Sequence, residues 1–110
     1  MVEIDENTNK KIQELQILEQ NFQNVLMQKQ SLQIELSEID TALSEVQKSK
    51  GDIFRVLGQV MIKSTKEEVK KDLNEKKESL SSRISLIEKQ EQSLREIIER
   101  IKGEVINKLQ

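Results

Sequence analysis

The sequence predicts a mainly helical fold: a long antiparallel two-helix coiled coil with a single β-hairpin at the connection between the helices. Three observations carry that expectation. Apolar residues recur at alternating gaps of three and four over two long stretches, Leu15 to Val46 and Leu73 to Val105. Between them lies one short run, Ile53 to Ile62, whose β-branched and aromatic residues are interrupted by Gly58-Gln59. The chain has no proline, and it is rich in the Glu, Lys, Gln, Leu and Ile that suit long helices. The expected layout is one domain over residues 1–110, with a helix over about 5–49, the hairpin over about 53–63 and a second helix over about 66–108.

In the first helix the seam runs Leu15, Leu18, Phe22, Val25, Lys29, Leu32, Leu36, Ile39, Leu43 and Val46. With Leu15 as heptad position a, the repeat is sustained long enough to indicate a coiled coil. The helix is expected to stop near Ser49. Lys48 and Lys50 sit where positive charge suits the C-terminal dipole, and Gly51 is free to take the left-handed cap conformation.

The run DIFRVLGQVMIKS reads as two strands about a two-residue turn with glycine first, the type II′ arrangement. Pairing about that turn sets Leu57 opposite Val60, Val56 opposite Met61 and Arg55 opposite Ile62. Ile53, Leu57, Val60 and Ile62 then share one face, and Phe54, Val56 and Met61 the other. Both faces are apolar. A ribbon solvated on one side alternates polar with apolar residues, so these strands are expected to need further strands to pair and pack against. The alternative for so short an apolar run is a buried loop.

Ser64-Thr65-Lys66-Glu67-Glu68 reads as a helix start, with Thr65 as N-cap and Glu68 as its capping-box partner. The second seam is Leu73, Lys77, Leu80, Ile84, Ile87, Glu91, Leu94, Ile98, Ile101 and Val105, with Leu73 at position d. Gly103 lies within it and suggests a loosened end. An antiparallel fold-back sets a against d at every layer: Leu43 with Leu73, Ile39 with Lys77, Leu36 with Leu80, Leu32 with Ile84, Lys29 with Ile87 and Val25 with Glu91. Lys29 and Glu91 fall in adjacent layers, where they either pair as a register device or snorkel separately to water. At ~1.5 Å rise per residue, such helices make an arm of about 60 Å.

Composition excludes several function classes. The 18 basic and 20 acidic residues are interspersed, net −2, with no basic stripe of the kind a phosphate backbone selects. Nucleic acid is not an expected partner. Without cysteine or histidine there are no disulfides, thiol nucleophiles or usual transition-metal ligands. No glycine-rich phosphate loop or catalytic triad is present either, so no enzyme activity, cofactor or metal is expected. No apolar run is long enough to span a membrane, and MVEIDENTNKK does not read as a signal peptide, so the expected location is the cytosol.

The order of long helix, hairpin DIFRVLGQVMIKSTKEE and long helix, with QKQ at Gln28 to Gln30 and EKQE at Glu88 to Glu91, resembles the β-type subunits of the prefoldin family over nearly the whole chain. The more specific signals are Phe54-Arg55, the Gly58 turn and the apolar strand running into Lys63–Glu68. Alpha-type members carry two hairpins and a longer connection. Phe54 is a small departure, since many relatives place tyrosine there.

The resemblance implies an ATP-independent molecular chaperone without a cofactor: a hexamer of two α-type and four β-type subunits whose hairpins assemble into an oligomeric β-barrel platform. In that family the open ends of the arms hold non-native client proteins and deliver them to a group II chaperonin. On this reading Ile53, Phe54, Val56, Leu57, Gly58, Val60, Met61 and Ile62 are the candidate assembly residues. The candidate client-binding residues are Ile4 and the apolar positions off the seam toward the helix ends far from the hairpin. These are Ile4, Ile12, Ile17, Leu26 and Met27 on the first helix, with Ile97, Ile106 and Leu109 on the second. Their grouping at a frayed tip suits many weak contacts to unfolded chains. The competing reading is a structural or scaffolding coiled-coil hairpin that oligomerises through its β tip. A nucleic-acid-binding arm is disfavoured by the charge balance.

Overall fold

The computed structural model describes residues 5–110. In chain order the elements are α1 (Glu6–Lys48), β1 (Ile53–Leu57), β2 (Val60–Ser64) and α2 (Lys66–Leu109). Two long helices with one antiparallel hairpin between them form as the sequence predicts. The chain divides into two compact units, Ser31–Ile84 with the hairpin, and Met1–Gln30 together with Ser85–Gln110.

In the hairpin unit, Leu32, Ile39, Leu80 and Ile84 are buried, and Leu36, Leu43, Val46 and Leu73 are half-buried. These are the seam positions. Lys77, the charged member of this stretch, is half-buried and turns its ammonium to Asp40 at 2.8 Å.

The exit from α1 differs from expectation. Gly51 does not take the left-handed conformation; Gly58 is the one glycine with positive φ. The end is closed by other means. The Ser49 N–H donates to the Val46 carbonyl at 3.2 Å, a tightened last turn. Lys66 Nζ reaches back from α2 to the Gln47 carbonyl at 3.1 Å, so two terminal carbonyls are satisfied without a glycine cap.

At the turn, Gly58 has φ +61° and Gln59 is not in the positive region, which is the II′ pattern rather than I′. The register pairs Leu57 with Val60, Val56 with Met61, Arg55 with Ile62, Phe54 with Lys63 and Ile53 with Ser64. Thr65 then caps α2: the Glu68 N–H donates to Thr65 Oγ1 at 3.1 Å. The Glu68 carboxylate does not return to Thr65. It accepts a hydrogen bond from Ser64 Oγ at 3.1 Å, tying strand end to helix start.

In the unit of the helix ends, Ile98, Ile101 and Val105 are buried, while Leu15, Leu18, Phe22, Val25, Ile87 and Leu94 are half-buried. The seam continues upstream through Lys11 to Thr8, which is 2% exposed. Apolar periodicity is blind to both, because one is charged and the other a hydroxyl residue. Asp5 caps α1, accepting from the Thr8 N–H at 2.7 Å through Oδ1, with the Asn9 N–H on its carbonyl at 3.0 Å.

Among the described residues the expected loosened tip is therefore not what forms. Helix α2 runs through Gly103 to Leu109, with Ile101 and Val105 buried on either side of the glycine. Lys11 meets Glu104 at 3.0 Å, and Lys108 lies 3.9 Å from Asp5. Capping, a buried threonine and cross-helix ion pairs order the last turns.

Candidate functional site

The hairpin concentrates exposed apolar surface. Phe54, Val56, Leu57, Val60, Met61 and Ile62 are all exposed, Val56 at 67% and Met61 at 68%, while Ile53 is half-buried. The register places Phe54, Val56 and Met61 on one face, with Ile53, Leu57, Val60 and Ile62 on the other. Each strand pairs only with the other among the described residues, so both outer edges present free backbone donors and acceptors.

Apolar area left in water costs roughly 25 cal/mol per Å² relative to burial, and an isolated two-stranded ribbon has little to offset it. Arg55 shares the Leu57 face and ion-pairs with Asp72 of α2 at 3.0 Å. That contact fastens the ribbon to the helix at one point, and Lys63 stands 3.7 Å from Asp52 at its base. A sheet fragment with two apolar faces and two open edges is equipped to pair with other strands.

The candidate residues of the helix ends do not share one face. Ile4 lies outside the described residues. Ile17, Met27, Ile106 and Leu109 are exposed. Ile12, Leu26 and Ile97 are half-buried, because their heptad places flank the seam and their side chains shield it. Leu86 in this unit and Ile34 in the hairpin unit are also exposed, at 61% and 55%. The rule that selected the others, an apolar residue off the seam, finds these two as well; restricting it to the chain ends passed over them.

Near the ends of the helices a groove of about 460 Å³ is lined by Glu19, Phe22, Arg95, Ile98 and Lys102 among others. The Arg95 guanidinium lies 5.5 Å from the Phe22 ring centroid, within cation–π range. Lys102 and Glu19 pair across the groove at 3.3 Å.

The two seam charges pair. Lys29 Nζ donates to Glu91 Oε1 at 2.9 Å, and Arg95 reaches the other carboxylate oxygen at 3.4 Å. The Glu91 side chain is only 14% exposed. The hydrogen bond from Lys29, and then the charges of Lys29 and Arg95, hold its carboxyl below the usual glutamate range against the opposing effect of burial. Asp5 is likewise held low by the hydrogen bonds it accepts from Thr8, helped by Lys108 and Lys11.

Among the described residues no group of side chains is arranged to hold a metal ion. No described helix is long and apolar enough to cross a membrane.

Comparison with known proteins points one way. The prefoldin subunit family profile matches residues 9–110. The prefoldin β subunit of Pyrococcus furiosus is 36% identical over 90 residues, covering 80% of this chain and 77% of that one. The prefoldin β subunit of Archaeoglobus fulgidus is 34% identical over 98 residues, 87% of this chain and 84% of that one. The crystal structure of the prefoldin β subunit from Thermococcus strain KS-1 superposes with a TM-score of 0.95 at 28% identity, covering 100% of this chain and 98% of the other.

Proposed function

Because the chain belongs to the prefoldin subunit family, we propose that it works as the β-type subunit of an ATP-independent chaperone, assembled with an α-type subunit into a hexamer. The observation that carries the assembly is the hairpin with exposed apolar residues on both faces. Such a ribbon acquires its missing strands and its core from copies and from the α-type partner. Two α-type and four β-type subunits would close their hairpins into a β-barrel platform, with Ile53, Phe54, Val56, Leu57, Gly58, Val60, Met61 and Ile62 at the contacts.

The helix ends then hold non-native proteins through Ile12, Ile17, Leu26, Met27, Ile97, Ile106 and Leu109, each contact weak and the several subunits adding avidity. The held chain is passed to a group II chaperonin in the cytoplasm. No step of this scheme needs a nucleotide site or a metal.

The test is suppression of aggregation of an unfolding client by the assembled complex. The wild-type chain with its α-type partner is expected to suppress it. A Val56→Glu, Val60→Glu variant should keep its helices by circular dichroism, fail to sediment as a hexamer and lose protection. A hexamer formed by that variant sinks the barrel argument, and a wild-type complex that protects at no ratio makes the chain a scaffold.

A further inference from the structure

Helix α1 carries an outward face without charge. Between Gln13 and Gln30 the heptad places outside the seam and its flanks are Gln13, Gln16, Gln20, Gln23, Asn24 and Gln30, joined by Ile17 and Met27; all are exposed, and Gln20 and Gln23 also edge the groove that Glu19 and Lys102 line. In a chain that is 35% charged this run stands apart. The charges of the same stretch, Glu14, Glu19 and Lys29, lie on the seam or beside it. Across the same unit, the outward positions of α2 also hold uncharged residues such as Leu86, Gln92, Ser93 and Ile106, but among them stand four charges, Lys89, Glu96, Glu99 and Arg100. The contrast lies between two helices of one fold, so it does not follow from composition.

We propose that this face of α1 is a surface along which a non-native polypeptide lies, and that its lack of charge makes holding indifferent to the charge of the client. The proposal rests on the chaperone reading and names the chemistry that reading leaves open. An unfolded chain offers two things common to every sequence: backbone amides and scattered apolar side chains. Glutamine and asparagine side chains both donate and accept, so they match backbone N–H and C=O groups in any order. Ile17 at 62% exposure and Met27 at 67% supply apolar contact, the methionine adapting its shape to what it meets. A face bearing fixed charges attracts clients of one sign and repels the other. An uncharged face discriminates against neither.

The experiment uses the hexamer assembled with the α-type partner and two aggregating clients, one strongly acidic and one strongly basic. Gln16→Glu, Gln20→Glu and Gln23→Glu together place negative charge on the face; the matching lysine triple places positive charge. Glutamate and lysine have helix propensities close to that of glutamine, so helix content should be preserved. The glutamate triple is expected to need several-fold more complex to halve aggregation of the acidic client, and the lysine triple several-fold more for the basic client. Ser85→Glu, Gln92→Glu and Ser93→Glu on the outward face of α2 should leave both titrations unchanged. Equal protection by all variants, or an equal loss from the α2 triple, overturns the proposal. So does a changed sedimentation coefficient of the α1 triples, which would make the face a contact between copies. Failure of the wild-type complex on both clients instead strikes the chaperone reading beneath it.

Discussion

At the scale of the residue, the seam charges show how polar groups enter a coiled coil without being wasted. Lys29 and Glu91 replace apolar layers, yet their pairing, extended by Arg95, gives each carboxylate oxygen a donor. An offset of one layer would separate them, so the pair selects one alignment of the helices. Spacing alone placed them near each other; it could not say whether two long side chains meet or diverge, because that depends on rotamers and on Arg95. The carboxyl of Glu91 is depressed in the folded chain, so its contribution is present above the ordinary glutamate pKa and is lost as pH falls through the lowered folded value. A Glu91→Gln variant should therefore show a shallower fall in melting temperature on acidification than wild type; parallel curves would remove Glu91 from the acid response. Replacing both residues, Lys29→Leu with Glu91→Leu, should raise the melting temperature at neutral pH, since packed apolar layers commonly outperform an ion pair. A lower value would mean that the pair adds net stability. Gly103 is the opposite case, a position whose identity no contact explains. A Cβ there meets nothing within 4 Å, so Gly103→Ala should stabilise the helix by about 1 kcal/mol, read by thermal melting.

At the scale of the element, the hairpin was legible because its turn is local. Glycine followed by glutamine between two β-branched runs determines turn type, register and both faces at once, and the observed pairs are those the turn dictates. The capping of α2 was legible for the same reason, a threonine with a glutamate three residues on, although the glutamate found Ser64 instead. The closures of α1 were not legible. One uses Lys66, distant in sequence from Gln47, and the other is a tightened turn, so neither leaves a mark near the helix end. At Gly58 the positive φ leaves an L-residue strained by about 1–2 kcal/mol. Gly58→Ala should accordingly lower the yield of assembled hexamer with unchanged helix content, whereas Gly51→Ala, at a position without positive φ and with open space around it, should not. Equal yields from the two variants would show that the turn does not limit assembly.

At the scale of the whole molecule, the fold was legible because both helices keep a strict heptad and the connection is short. The functional surfaces were legible only in part. The apolar hairpin stands out against charged flanks, but the helix ends mislead: Gly103 suggests fraying, while Asp5, buried Thr8 and the Lys11–Glu104 pair produce an ordered end. Order there changes what a truncation means. Removing residues 1–14 with 104–110 takes away the Asp5 cap, Thr8 and Val105 together with Ile12, Ile106 and Leu109, leaving Leu15 and Ile101 as the outermost apolar seam positions. The hairpin belongs to the other unit, Ser31–Ile84, so the truncated chain is expected to sediment as a hexamer with its α-type partner. Protection of an aggregating client should fall sharply, because exposed Ile106 and Leu109 and half-buried Ile12 are gone. It should not vanish, because Gln16, Ile17, Gln20, Gln23, Asn24 and Met27 remain. Adding Gln16→Glu, Gln20→Glu and Gln23→Glu to the truncation should then remove what protection of an acidic client is left. Undiminished protection by the truncated hexamer would move holding away from the helix ends altogether, and a residue of protection that the added glutamates do not touch would move it away from the outward face of α1.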